Sequence, residues 1–257
     1  HSGNKKKLNF DINKFSKFKD KIIYLVIEKE PDEIDLSHGT ITPSHIKRLN
    51  SLKRIEQSYN FMQKGIISAS DEDLIILSDN DEIPNLNSKQ FLNCDKNKII
   101  IFEQLFFYYK FNLLYDKMLW PGSKACRKKN LKSFSWLRNL KNKKYPFWRI
   151  DTSFSKNKTT NLEIIQEGGW HFTNVKTAEQ LYIKLKNYGH HNEFDESGLT
   201  VENLKEQISK NELHYNHFVD QKNQSKYSFS YELKKTNLDI LPEYLKNNFD
   251  KYKEWFS

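Results

Sequence analysis

The sequence predicts a single α/β domain in which helices flank a mainly parallel central sheet. Leu74–Leu77 is a run of four apolar residues, typical of a short strand that is buried on both faces of such a sheet. A second apolar run at 22–27, the helix after it and the strand at Leu74–Leu77 form a strand–helix–strand unit, which favours a parallel pairing. At 257 residues the chain can bury one large core.

The composition excludes several other classes of protein. Aromatic residues are abundant (18 Phe, 13 Tyr and 5 Trp) while Gly and Pro are scarce, which is typical of a packed protein rather than a disordered one. No apolar run approaches the roughly 20 residues of a membrane-spanning helix, and no signal-peptide pattern occurs. Two cysteines, Cys94 and Cys126, are too few for a disulfide framework or a Cys-based metal site. We therefore expect a reducing, cytoplasmic location.

The clearest helix precedes the strand at Leu74–Leu77. Thr42 can cap its N-terminus, Pro43 suits its first position, and Gly65 is placed for a C-terminal cap. Apolar residues recur at spacings of three and four and predict a stripe that faces the core. The stripe consists of Ile46, Leu49, Leu52, Ile55, Tyr59 and Met62.

The remaining elements follow Pro84. Thr177 and Gln180 form a capping box at the start of one helix, and Thr200 can cap the next. The predicted helices cover 88–94, 131–140, 177–189, 200–211 and a segment starting near 242. The predicted strands cover 99–102, 106–111, 118–120, 147–150, 162–165 and 170–173.

A cluster of carboxylates follows the strand at Leu74–Leu77. Asp79, Asp81 and Glu82 come directly after it, and Pro84 closes the segment because proline cannot continue a ladder. Open α/β sheets present ligand sites at the carboxyl ends of their strands. A turn can aim Asp79 and Asp81 at one hard cation such as Mg²⁺ or Mn²⁺. An isolated Asp-x-Asp is more often a solvated acidic turn, and it is the position at the end of a buried strand that favours a ligand site here.

Three further segments carry chemistry or have a plain structural explanation. Gly168 and Gly169 permit a close backbone approach, and His171 can add a nitrogen ligand to a metal site, or is a core histidine. The segment 190–193 suits acid–base chemistry through Glu193, or is a polar loop. The stretch 117–149 has eleven Lys and Arg and no acid. It either binds the phosphates of a diphosphate leaving group or of a nucleic acid, or it is a solvated surface.

Taken together, these segments resemble glycosyltransferase family 17, which includes a β-1,4-mannosyl-glycoprotein N-acetylglucosaminyltransferase. The resemblance rests on Asp-Asn-Asp-Glu-Ile-Pro at 79–84, Trp-Pro-Gly at 120–122 and Gly-Trp-His-Phe-Thr at 169–173, in that order. His-Asn-Glu-Phe at 191–194 is similar to a segment of bacterial-type members. The resemblance covers nearly the whole chain.

The resemblance implies a GT-A-like fold, a UDP-sugar donor (UDP-GlcNAc), a glycan acceptor and Mn²⁺ or Mg²⁺. The cation would bridge the donor diphosphate and neutralise the charge that develops on the departing UDP. The implied metal ligands are Asp79, Asp81 and His171. The implied donor-binding residues are Asp79, Asn80, Asp81, Arg138, Trp170 and His171.

The resemblance also implies an inverting displacement, which needs a carboxylate to deprotonate the acceptor hydroxyl. Glu193 is the preferred candidate for this base, and Glu82 and Glu167 are alternatives.

The sequence departs from the family pattern in two places. Members usually begin with a further strand–helix–strand unit that helps to hold uracil, and residues 1–5 resemble the loop after that unit, so we expect the chain to lack it. Gln166, Glu167 and Gly168 stand where the family more often has an Asp-Asn-Ala type of sequence. The net charge of +9 suggests a different class, a polyanion or nucleic-acid binder with steep salt dependence, although we expect no nucleic-acid partner. A third reading is an inactive sugar-nucleotide-binding relic.

Overall fold

A computed structural model describes residues 10–32, 34–35, 43–152, 154–187, 191–213, 216–218, 227 and 230–257. Three expectations fall outside these residues. They are the loop resemblance of residues 1–5, the N-cap at Thr42 and the helix end at Gly189. The helices are α1 (Ser44–Phe61), α2 (Lys89–Asn93), α3 (Phe134–Asn139), α4 (Ala178–Lys186), α5 (His191–Ser197), α6 (Val201–Ser209) and α7 (Glu243–Asn247). The strands are β1 (Leu74–Leu77), β2 (Glu82–Pro84), β3 (Ile99–Tyr108), β4 (Leu113–Leu114), β5 (Trp120–Arg127), β6 (Leu162–Ile165), β7 (Gly169–Thr173), β8 (Glu212–Leu213), β9 (Tyr231–Glu232) and β10 (Lys234–Lys235).

The long strand β3 organises an eight-stranded mixed sheet. Its first half pairs in parallel with β6 and its second half with β7, while β5 and β4 run antiparallel along its other edge. The pairs β1–β5, β2–β7 and β4–β10 are also antiparallel. The prediction of a mainly parallel sheet was therefore wrong. An apolar run indicates that a strand is buried, but it carries no information about the direction of the neighbouring strand.

Two predicted strands do not form. The run at 22–27 lies in extended chain outside any ladder, with Ile23 and Tyr24 exposed, so 22–78 is not a strand–helix–strand unit. The run at 147–150 leads into a 3₁₀ turn (Ile150–Thr152) with its apolar side chains in solvent. Local β-propensity does not make a strand where no partner edge is available, because a strand needs a ladder partner for its backbone groups.

The predicted helix before β1 is present as α1 and a short 3₁₀ extension (Met62–Ile66), but its core face differs. Leu49, Leu52 and Ile55 are exposed, whereas the polar Asn50 and Ser51 are buried. Asn50 exchanges two hydrogen bonds with the backbone of Asp35, at 3.1 and 2.8 Å. These bonds satisfy the buried amide and allow a polar residue to replace the expected apolar contact.

Most other elements match their predictions. Strands β1, β6 and β7 and helices α2, α3, α4 and α6 lie where the pattern put them, and Thr177 with Gln180 forms the capping box of α4. The runs predicted as separate strands at 99–102 and 106–111 join into the single strand β3, which ends at Tyr108. The strand predicted at 118–120 begins only at Trp120, as β5. In the part of the chain that the structure describes, no helix is both long and apolar enough to cross a membrane.

Helices cover both faces of the sheet, and the side chains of β3 and β7 point alternately into the two helical layers. Phe106 on β3 packs in the cluster that contains residues of α4, α5 and α6, and Phe107 packs in the cluster that contains residues of α7. His171 lies beside Phe106 in the register, and Phe172 lies beside Phe107. Consecutive residues of a strand point to opposite faces, so His171 faces the α4–α6 layer.

Candidate functional site

The site is assembled by the pairing of β2 with β7. Glu82 is opposite His171 and Pro84 is opposite Gly169, and the backbone N–H of Phe172 donates to the carbonyl of Asp81 at 2.8 Å. The acidic segment after β1 and the Gly-Trp-His segment therefore lie side by side, although 87 residues (171 − 84) separate Pro84 from His171 in the sequence.

The paired glycines make this approach possible. Gly169 has φ of +116°, and a Cβ there would lie 2.1 Å from the carbonyl oxygen of Ile83. A Cβ on Gly168 would lie 2.5 Å from the carbonyl oxygen of Glu103 on β3. Only glycine fits at both positions, which confirms the expected close backbone approach.

Asp81 and His171 form the first half of the site. The Oδ2 atom of Asp81 lies 3.5 Å from the Nε2 atom of His171, and the two side chains are 31% and 7% exposed. The imidazole ring packs against both Phe106 and Trp120, with centroid distances of 4.8 and 4.6 Å, and those two rings also contact each other at 5.0 Å. Its buried Nδ1 atom has no hydrogen-bond partner among the described residues. Burial acts to raise the pKa of the Asp81 carboxyl, but the neighbouring His171 and Lys184 outweigh it and the pKa lies below its usual value.

Asp79 has different partners from Asp81. Its Oδ2 atom lies 3.3 Å from the Nη2 atom of Arg138, and its Oδ1 atom accepts a hydrogen bond from the Tyr59 hydroxyl. Tyr59 also accepts a hydrogen bond from Arg138, whose guanidinium lies 4.8 Å from the centre of the tyrosine ring. Across the described ranges, no group of three or more His, Cys, Asp and Glu side chains is close enough to hold a metal. A cation shared by Asp79, Asp81 and His171 stays a prediction.

A small cavity of about 80 Å³ lies beside these residues and is lined by Asp79, Glu82, Trp120, Lys124 and Arg138, among others. The carboxylate of Glu82 accepts hydrogen bonds from Trp120 Nε1 at 2.9 Å and from the backbone N–H of Asp79 at 3.2 Å. Burial nevertheless raises the pKa of Glu82. A carboxylate with a raised pKa in a cavity suits general-base chemistry.

A bulge in β5 shapes the wall of this cavity. Three steps of β5, from Pro121 to Lys124, span the two steps of β3 from Ile101 to Glu103, so β5 contains one extra residue. A Cβ on Gly122 within the bulge would lie 2.0 Å from the Oε1 atom of Gln104, so a side chain there would have to displace the buried Gln104 amide. Bulges commonly redirect side chains next to active sites.

Lys124 supports the position of Arg138, and the sequence reasoning did not single it out. Its buried ammonium donates hydrogen bonds to the carbonyl oxygens of Arg138 and, at 2.8 Å, of Leu140. These are the carbonyls at the C-terminus of α3, which would otherwise lack partners. Burial, and then the charge of Arg138, lower the pKa of Lys124 to about 8. In the sequence this lysine is one of eleven cations in a basic stretch, and only its place inside β5 sets it apart.

Lys184 on α4 is a second residue that the sequence reasoning missed. Its ammonium donates to the Oδ1 atom of Asn174 at 2.7 Å, and Asn174 has φ of +55° directly after β7. Burial lowers the pKa of Lys184, while the charge of nearby Asp81 opposes that shift. In the sequence, Lys184 is next to Leu185, which belongs to the apolar face of α4. This position at the edge of an apolar face is the sequence feature that could have identified Lys184 as a partly buried cation.

The other predicted residues lie apart from this group. Trp170 points to the opposite face from His171, and its Nε1 atom donates to the carbonyl of Ile240 at 2.6 Å. Glu167 and Trp170 line a separate cavity of about 540 Å³. Asn80 is exposed in the turn before β2.

Glu193 was expected in a loop but lies in α5. The next residue, Phe194, packs in the cluster with Leu181 and Leu185 of α4. His190 lies outside the described residues. The role of Glu193 as a base stays a prediction.

Residues 1–256 of the chain match a family model described as Glycosyltransferase family 17. The matched region contains every strand and helix of the structure and all the segments that form the site. No curated protein matches the chain, and no solved structure matches it.

Proposed function

Because this chain belongs to glycosyltransferase family 17, we propose that it transfers GlcNAc from UDP-GlcNAc to a hydroxyl of a glycan. As a glycosyltransferase it acts on a sugar donor and an acceptor. The proposal includes inversion at the anomeric carbon and dependence on Mn²⁺ or Mg²⁺. The observation that carries it is the pairing of β2 with β7, which brings Asp81 and His171 together next to a cavity that Arg138 lines.

The donor set at Asp81 fits a divalent cation that a substrate diphosphate completes. Mg²⁺ in nucleotide sites is usually held by one or two carboxylates and by phosphate oxygens, not by an all-protein cage. Asp81 supplies a partly exposed carboxylate, and His171 supplies a nitrogen 3.5 Å away. Asp79 is engaged by Tyr59 and Arg138, so Asp81 and His171 would be the principal ligands. When bound, the cation neutralises charge on the departing UDP.

Arg138 is the residue best placed to contact the diphosphate. Its side chain is 44% exposed, and the planar fork of arginine matches phosphate oxygens well. Tyr59 and Asp79 hold the guanidinium from one side, and Lys124 holds the end of its helix. A cation that is already oriented stabilises developing charge without having to reorganise during the reaction.

A panel of nucleotide sugars tests this function. The expected result is release of UDP from UDP-GlcNAc in the presence of Mn²⁺ and a glycan acceptor, and loss of this release with EDTA. UDP-GlcNAc binding without any transfer would instead favour the inactive relic. Tight RNA binding that falls steeply with salt, without nucleotide-sugar binding, would favour the polyanion binder.

His171→Phe separates a functional imidazole from a core histidine. Phenylalanine keeps an aromatic ring in contact with Phe106 and Trp120, and it removes a buried nitrogen that lacks a partner among the described residues. The melting temperature should therefore stay level or rise, because an unsatisfied buried polar group is destabilising. Metal-dependent UDP binding, measured by calorimetry, should fall at least about tenfold. Unchanged UDP affinity would return His171 to the role of a core residue.

Lys184→Met tests whether the ammonium group of Lys184 on α4 contributes to donor binding. Methionine retains most of the aliphatic stem but removes the charge near Asp81 and the hydrogen bond to Asn174. Because the charge of Lys184 reaches Asp81, we expect it to act on the donor site, and the KM for the UDP-sugar should rise about tenfold. The surface variant Lys253→Met is the matched control and should behave like the parent. A fall in melting temperature with KM unchanged would show that Lys184 is structural.

A further inference from the structure

The chain between α3 and β6 forms a braced loop over residues 141–157. The backbone N–H of Lys141 donates to the carbonyl of Asn157 at 2.8 Å, which brings the two ends together. Asp151 accepts hydrogen bonds from Arg149 at 2.6 Å and from Lys158 at 2.9 Å. These bonds give the loop its own internal support, as in other compact surface loops.

This braced loop presents large apolar side chains to solvent. Phe147 is 87% exposed, Trp148 66%, Ile150 74% and Phe154 85%. Phe147 and Trp148 form an edge-to-face pair with centroids 5.1 Å apart. Single exposed apolar residues are ordinary, but four large ones within eight positions of one loop are the kind of feature that marks a contact surface.

The loop is also strongly cationic. Residues 141–157 contain five Lys and Arg and one acid, a net charge of +4 (5 − 1), and Lys158 follows directly. The acid is Asp151, which both Arg149 and Lys158 engage. Lys141 and Lys143 are exposed at the start of the loop. The apolar patch is therefore surrounded by positive charge.

We propose that this loop docks the protein onto the surface of an anionic lipid bilayer. Phenylalanine and tryptophan are favoured at the boundary between headgroups and acyl chains, and lysines beside them attract acidic headgroups. Ile150 favours a lipid surface over RNA or a soluble glycan as the ligand of this loop. Its aliphatic side chain offers no ring for stacking on bases or sugars, but it suits an acyl environment. The proposal concerns binding alone and does not depend on the glycosyl transfer.

Co-sedimentation with vesicles tests the proposal. The parent protein should bind vesicles of phosphatidylcholine and phosphatidylglycerol and should bind pure phosphatidylcholine weakly. The double variant Phe147→Ser/Trp148→Ser should reduce partitioning roughly tenfold or more, since both side chains leave the lipid phase. Ile67→Ser/Leu92→Ser is the matched control, because Ile67 and Leu92 are comparably exposed elsewhere on the chain.

A charge variant tests whether the lysines of the loop attract acidic headgroups. Lys141→Glu/Lys143→Glu should weaken binding to the acidic vesicles several-fold, and added salt should reduce this difference. Lys251→Glu/Lys253→Glu, with the same charge change at the C-terminus, should have a much smaller effect. All these side chains are at the surface, so equal melting temperatures should accompany every variant.

Three results would overturn the proposal. The first is a parent protein that does not bind acidic vesicles. The second is vesicle binding that the Phe147/Trp148 variant leaves intact. The third is binding of a soluble glycan or of RNA through the loop residues, without vesicle binding, which would assign the loop to that ligand.

Discussion

Replacing Asp81 by alanine is expected to abolish metal-dependent UDP binding and to lower transfer by on the order of a hundredfold to a thousandfold. Asp81 is the partly exposed carboxylate next to His171, whereas Asp79 is held by Tyr59 and Arg138. The change should not unfold the protein, because the Asp81 side chain is at the rim of the site, and its backbone carbonyl still accepts the bond from Phe172.

Calorimetry with UDP and Mn²⁺ measures this effect, and Asp71→Ala is the control. Asp71 is an exposed aspartate in the turn before β1, so it has the same charge change at a short distance along the chain. The parent and the control should bind UDP only when the metal is present, and Asp81→Ala should not bind it in either condition. Equal UDP affinity in Asp81→Ala and the parent would remove Asp81 from the metal site.

The different surroundings of Asp79 and Asp81 show how far the motif itself could be interpreted from sequence. A motif of two aspartates around one residue predicts a shared ligand, but it cannot show that Tyr59 and Arg138 engage one of them. Tyr59 is on α1 and Arg138 is on α3, so their meeting at Asp79 depends on how two helices pack against β1. Long-range packing of this kind leaves no local pattern.

The fold shows the same division between local and long-range information. Strands β1, β6 and β7 and the capping box of α4 follow from apolar runs and from cap residues, which act within a few positions. Strand direction, the exposure of 22–27 and the polar buried face of α1 depend on neighbours that are distant in the sequence. The strand predicted at 22–27 was the error with the widest consequences, because the strand–helix–strand unit built on it supported the parallel pairing that does not form.

Buried cations were the other feature that composition concealed. Among 42 Lys and Arg, composition does not distinguish Lys124 or Lys184, and only the place of Lys184 at the edge of the apolar face of α4 offered a signal. Each differs because its ammonium donates to backbone carbonyls or to an amide inside the fold. Burial lowers the pKa of both, and only a favourable local partner makes such a position tolerable.

The base of the reaction is expected to be Glu82, so that Glu82→Gln should lower turnover about a hundredfold to ten-thousandfold with little change in donor affinity. Glu82 lines the cavity beside Arg138 and has a pKa raised by burial. Its two hydrogen bonds leave lone pairs free on both oxygens. Burial disfavours the ionised Glu82, which favours the neutral glutamine, but glutamine has one acceptor oxygen for the two donors of Trp120 and Asp79, so the melting temperature should change only slightly. Glu193→Gln, measured in parallel, tests the sequence-based alternative, and the exposed Glu202→Gln is the surface control.

The pH dependence of turnover distinguishes a base from a residue that only shapes the cavity. A base must be deprotonated, so turnover rises with pH through its pKa. The Trp120 hydrogen bond lowers the pKa of Glu82, so Trp120→Phe should raise that pKa and shift the acidic limb to higher pH, while its ring continues to stack on His171. If Glu82 is the base, this shift accompanies the large loss in Glu82→Gln. If Glu82→Gln instead stays within about threefold of the parent while Glu193→Gln loses the hundredfold expected of a base, the base is on α5, and Glu82 serves only to hold Trp120 and the backbone of Asp79.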